Sequence, residues 1–269
     1  MTRAPGLLVA AFLALAPPAA AAKVILIVAD RKQAAAAAAR AAKDVRVTAF
    51  DRVDLADPIE KGRFLASLQA SDLVVAAAAG SGACGWLNDE VDGVPVDCIT
   101  PYDAGQVIGF ARSAGWRRVA VVHMTGYEKV FGRLRARARQ AGVELIPVRI
   151  EKLRELPEAL PRALLTSQAV WILGSPSLTE GAAFEYLVKS TLAKRIPLIA
   201  PGGDLVARGA FLGAEGDHAA VLQRAVDLAN AASAGAPRDE SSPEVPGGRL
   251  VFNKVLARRW GIPIPGDAR

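Results

Sequence analysis

The chain has 269 residues, of which 52% are hydrophobic and only 6% aromatic, with a formal charge of +6. That composition suits one or two α/β domains with a sizeable core and excludes a disordered or disulfide-stapled miniprotein. The charge is too modest to argue for nucleic acid as a partner, and Arg133, Arg135 and Arg137 do not share one helical face.

At the N-terminus, Arg3 precedes an apolar run over residues 7–15, then Pro17-Pro18 and four alanines at 19–22. This is the pattern of a secretory signal with an Ala-x-Ala site, so residues 1–22 are expected to be cleaved before Lys23, removing one basic residue and no acid. The prolines and the short apolar run argue against a transmembrane anchor. No cysteine follows the site, which disfavours a lipoprotein.

After Lys23, the run VILIVA reads as a strand ending in Asp30, followed by an alanine-rich helix over 32–42. Residues 45–50 read as a second strand, 59–69 as a helix and 73–79 as a third strand closing on Gly80-Ser81-Gly82. Strands alternating with helices of this length predict βαβ units and a parallel sheet. Residues 80–93 are irregular and contain Cys84; Cys98 follows in a predicted strand over 94–99. Export permits a disulfide between the two, and their separation in sequence leaves bonded and free thiols equally open.

A helix over 102–113 leads to Gly115, where the rhythm restarts. The predicted order is strand 118–123, helix 127–141, strand 144–150 interrupted by Pro147, helix 155–165, strand 169–174, helix 182–194 and strand 196–200. A helix over 217–232, an irregular connection over 233–248, a short strand over 250–253 and a closing helix over 254–260 complete the chain. Two such runs imply two similar lobes, the first over residues 23–113 and the second over 114–213.

The chemistry is expected at the carboxyl ends of the strands, where helix N-termini and free backbone N–H groups point. The candidate ligand contacts are Asp30, Ser81, Thr125, Ser175, Ser177 and Asp204. Ser177 and Asp204 have second readings as helix caps, Ser177 in a capping box with Glu180. Trp86 and Tyr127 are stacking candidates with an equal case for packing. His123 and His218 lack metal-ligand spacing and read as structural, so no metal or cofactor is expected. Ser81 and Cys84 sit in no Gly-x-Ser-x-Gly elbow, and no lysine completes a Walker motif, which makes a hydrolase the weakest reading.

The segments RRVAVVH (117–123), GVEL (142–145), AVWILGSPSLTEG (169–181), RIPLIAPGGDLVARGAFLG (195–213) and LVFNKVLARRWGIPIP (250–265) resemble an ABC-transporter substrate-binding protein family. That family includes tryptophan- and tyrosine-binding members and has the type I periplasmic-binding-protein fold. Asn253, Gly261 and Pro263 occupy its terminal pattern, whereas the first lobe is shortened and lacks the family's opening motifs. The resemblance implies two Rossmann-like lobes with parallel sheets, closing around a small, amino-acid-like molecule. It implies by analogy that 214–246 returns to the first lobe and 247–269 to the second. It further implies a periplasmic protein with an ABC permease as partner and no membrane insertion after signal cleavage. A transport-independent sensor or envelope partner is the alternative, and an enzyme is not expected.

Overall fold

The structure, a computed structural model, describes residues 23–28, 31–49, 58–68, 72–76, 96–99, 103–125, 127–173, 175–236, 245 and 248–265. Residues 1–22, the proposed signal, lie outside them. Two sheets organise the chain, one parallel and one parallel but for a single edge strand, each flanked by helices.

The first sheet has the order β2-β1-β3-β4 and is parallel throughout. Its centre is β1 (Val24–Val28), whose VILIV sequence is buried at every position because both neighbours and both faces are covered. Around it pair β2 (Val45–Ala49), β3 (Leu73–Ala76) and β4 (Val96–Cys98), with Val24 in register with Val45 and with Leu73. Helices α1 (Arg31–Ala38) and α2 (Pro58–Ala66) follow β1 and β2 in sequence.

The second sheet has six strands in the order β10-β9-β8-β7-β5-β6. They are β5 (Arg118–Met124), β6 (Glu144–Ile150), β7 (Ala169–Ile172), β8 (Leu198–Ala200), β9 (Leu212–Glu215) and β10 (Arg249–Phe252). All pairs are parallel except β9 with β10. Val119 and Val121 of β5 face one core while Ala120 and Val122 face the other, which explains a continuous apolar run instead of an alternating one. The first face is covered by α3 (Ala104–Ser113), α4 (Glu128–Gln140) and α10 (Lys254–Trp260). The second face is covered by α5 (Leu156–Thr166) and α7 (Gly181–Lys194).

Pro147 does not break β6, which runs without interruption through it. The reason is position: β6 is the edge strand, so a missing N–H can be directed away from β5 without costing a ladder bond. Strand β9 went unread because GAFLGAEG looks like a loop. Gly213 is nonetheless demanded inside the strand, since a Cβ there would collide with the Gly202 carbonyl.

Helix α9 (His218–Ser233) leaves the second sheet altogether and packs Val221, Leu222, Ala225 and Val226 onto Val24, Leu26, Val28 and Val75 of the first. Strand β10 then returns to the second sheet. The expected lobe boundary follows α3 in sequence, yet the buried face of that helix meets the second core, with Phe110 against Trp116 and Phe252 at centroid distances of 5.3 and 4.8 Å. Periodicity gives a helix its buried face without naming the sheet that receives it.

Candidate functional site

The carboxyl edge of the second sheet is built by the residues that follow β5, β7 and β8, three strands adjacent in the sheet. Thr125 follows β5, Ser175 follows β7, and Pro201-Gly202-Gly203 with Asp204 follow β8. Four of the expected contacts, Thr125, Ser175, Ser177 and Asp204, are therefore brought to one edge. Asp30, Ser81, Cys84 and Trp86 lie outside the described residues, as does any account of the Cys98 side chain and hence of the Cys84–Cys98 pairing.

Thr125 is held by its amide, which donates to the Ile150 carbonyl at 3.2 Å, joining the ends of β5 and β6. Its Oγ1 is buried and has no hydrogen-bond partner among the described residues. An unpartnered buried hydroxyl costs free energy, about 1–3 kcal/mol, and invites a polar group to meet it.

Ser175 is buried, and its amide turns back to the Leu173 carbonyl at 2.8 Å. Its own carbonyl accepts from the amides of Leu178 and Thr179, at 2.9 and 3.1 Å, and from the Thr179 hydroxyl at 3.2 Å. Those bonds start the short helix α6 (Pro176–Thr179). Ser177 is consequently an exposed residue inside that helix and caps nothing beyond it. Helix α7 begins separately at Gly181, with Glu180 before it making no side-chain cap bond, so the expected Ser177–Glu180 capping box does not form. The left-handed Gly181, at φ 54°, marks the break between α6 and α7.

Asp204 is the first residue of α8 (Asp204–Ala207), preceded by Gly203, which makes no side-chain cap bond. It is exposed and does not cap; its carboxylate lies instead 2.5 Å from where a Cβ on Gly202 would sit. The Glu215 carboxylate closes over Gly203 in the same way and pairs with Arg249 at 2.6 Å. At both glycines a carboxylate lies against the backbone, and a side chain there would first have to displace it. Glu215 was missed because it ends the unread strand β9.

His123 is more informative than its sequence context suggests. It is 2% exposed, stacks on Phe131 at 5.3 Å, and its Nδ1 lies 3.0 Å from the Met124 carbonyl. In a neutral ring that contact places the proton on Nδ1 and leaves Nε2 an acceptor, and Nε2 has no partner among the described residues. Trp171 Nε1, a donor on the same sheet face of the adjacent strand, is likewise buried without one. A titratable side chain at the end of a buried strand was the available sequence signal. Tyr127, considered for stacking, is instead buried in the core beside Phe131 and precedes α4 without a side-chain cap bond. His218 opens α9 and is exposed.

The edge therefore offers a hydroxyl with unspent hydrogen-bonding capacity, a buried serine, an exposed carboxylate and bare glycine backbone. Among the described residues no hydrogen bond joins a serine or threonine hydroxyl to a histidine, and no three metal-ligating side chains converge. No helix among them is long and apolar enough to cross a membrane.

No protein-family model matches the chain, and no curated protein matches it. Solved structures do. A conserved domain protein from Vibrio cholerae O1 biovar El Tor shares 15% identity at a TM-score of 0.53, over 92% of this chain and 97% of that one. An ABC domain from Streptococcus pneumoniae, solved in complex with L-tryptophan, shares 15% identity at a TM-score of 0.56, with the same coverage of 92% and 97%. At that identity the likeness is one of fold: two α/β lobes of the periplasmic-binding-protein type.

Proposed function

We propose that the protein is an extracytoplasmic solute-binding protein that holds a small, amino-acid-like molecule between its two lobes and presents it to an ABC importer. The single observation that carries this reading is the buried Thr125 Oγ1, unpartnered among the described residues, at the carboxyl edge of a parallel sheet, the edge where ligands bind in this architecture. The fold it shares with a protein solved around L-tryptophan supports the ligand class.

In this reading Thr125, Ser175, Ser177 and Asp204 belong to one wall, and Asp30 with Ser81 to the other. Asp204 receives the ligand's ammonium, and backbone N–H groups with the hydroxyls receive its carboxylate. In this reading the sheet of β1 to β4 with α9 belongs to one lobe, and the sheet of β5 to β10 with α3, α4, α5, α7 and α10 to the other. Closure favours the bound form because each wall adds contacts that the open form lacks. The site binds and releases without chemistry. Residues 1–22 direct export and are removed before Lys23, which mass spectrometry of periplasmic extract would register as a mature chain lacking Met1.

A thermal-shift screen over amino acids, purines and small apolar compounds tests the reading. A ligand at a hundred times its dissociation constant stabilises by about 2.7 kcal/mol. With the ligand so found, Thr125→Val should weaken binding by about 1–3 kcal/mol in calorimetry while leaving the circular-dichroism spectrum unchanged. Undiminished affinity in that variant would remove Thr125 from the site.

A further inference from the structure

The two helical layers of the second sheet differ in charge. On one layer, Glu158 pairs with Arg162 at 3.4 Å and Glu185 with Lys189 at 3.3 Å, so that α5 and α7 are nearly self-neutralising. On the other, α3 and α10 contain no acidic residue at all and α4 contains only Glu128, which is engaged with Arg149 at 3.0 Å. Arg112, Arg133, Arg135, Arg139, Arg258 and Arg259 are all exposed there and make no ion pair among the described residues.

The three helices form one surface. All pack on the same face of the sheet, through Phe110 of α3, Leu134 of α4 and Leu256 of α10. A salt bridge of 3.1 Å from Arg137 to Asp103 ties α4 to the residue that caps α3. Arginines that point in different directions around α4 are thereby joined by those of its neighbours into one broad basic layer. Val255 stands 67% exposed in the first turn of α10, between Lys254 and the two arginines in sequence.

We infer that this α3–α4–α10 layer docks the protein on an anionic phospholipid bilayer. A broad sheet of unpaired guanidinium groups matches an extended array of phosphates, whereas a small anion needs converging donors in a pocket. An exposed valine among the cations gains by entering the interfacial region of a bilayer, and a nucleic-acid backbone offers it no such gain. The docking is peripheral, electrostatic and reversible. It does not depend on what the cleft between the lobes binds.

Co-sedimentation of the full chain with vesicles tests the assignment. The vesicles are phosphatidylcholine alone or an equimolar mixture of phosphatidylcholine and phosphatidylglycerol. Binding to the neutral vesicles measures the apolar N-terminal segment, which every variant shares. The expected result is additional binding to the acidic vesicles that falls as salt is raised. Arg133→Glu/Arg135→Glu/Arg139→Glu should reduce that additional binding on the order of a hundred-fold or more. A control on the opposite layer, Arg162→Glu/Lys189→Glu/Lys194→Glu, changes net charge equally and should retain most of it, both variants keeping the native circular-dichroism spectrum. The assignment is overturned if acidic vesicles bind no better than neutral ones, if the two triple variants lose binding equally, or if only duplex DNA retains the protein.

Discussion

Phe211 is fully buried and meets aromatic rings on several sides: Trp116 and Trp260 at 5.9 Å, Phe110 and Phe252 at 6.4 Å. Those rings come from α3, the segment after it, β10 and α10, so one side chain couples elements far apart in sequence. Its removal leaves a cavity that no single neighbour can fill, and Phe211→Ala should cost about 3–5 kcal/mol in urea denaturation. Arg195 is a residue in the opposite situation. It adopts φ 55° after α7, the left-handed conformation that glycine takes without penalty, and its side chain is exposed. Arg195→Gly is therefore expected to stabilise the protein by up to about 1 kcal/mol, read as a raised denaturation midpoint.

At the scale of elements, the helices with a described side-chain cap follow simple local chemistry. Asp103 caps α3 through the Gly105 amide at 2.8 Å, and Asn253 caps α10 through the Leu256 amide at 3.1 Å. Asp217 caps α9 through the amides of Ala219 and Ala220, at 2.9 and 3.1 Å. Asp217→Ala should lower stability by about 1 kcal/mol without altering helix content at low temperature, measurable as a shifted thermal midpoint. Helix α5 tolerates Pro161 because the Pro157 carbonyl it leaves without an amide is approached by the Tyr186 hydroxyl, at 3.5 Å.

At the scale of the whole molecule, α9 is the element that makes the two ends of the chain interdependent. Asn230 accepts from the Ala42 amide at 2.7 Å and donates to the Arg40 carbonyl at 3.2 Å, reaching back across most of the sequence. The apolar face of α9 covers Val24, Leu26 and Val28. A chain ending at Gly216 would leave those strand residues open to water, and it should bind a hydrophobic dye and aggregate where the full chain does neither. A truncated chain that stayed monomeric and dye-silent would mean that the first sheet stabilises itself.

The sequence alone determined the α/β class and the position of nearly every strand and helix, because apolar runs bounded by turn residues report local burial directly. It placed Thr125, Ser175 and Asp204 at strand ends for the same reason, and those strands proved to be neighbours in one sheet. Only the tertiary structure decided that α3 joins the second core and that GAFLGAEG holds a strand beneath the Gly202 carbonyl. It likewise decided that His123 Nε2 and Thr125 Oγ1 are buried without partners among the described residues and that cations from three separate helices share one surface. Periodicity records which side of an element faces inward, whereas the identity of what it faces depends on contacts between residues far apart in the chain, and local pattern carries no record of those.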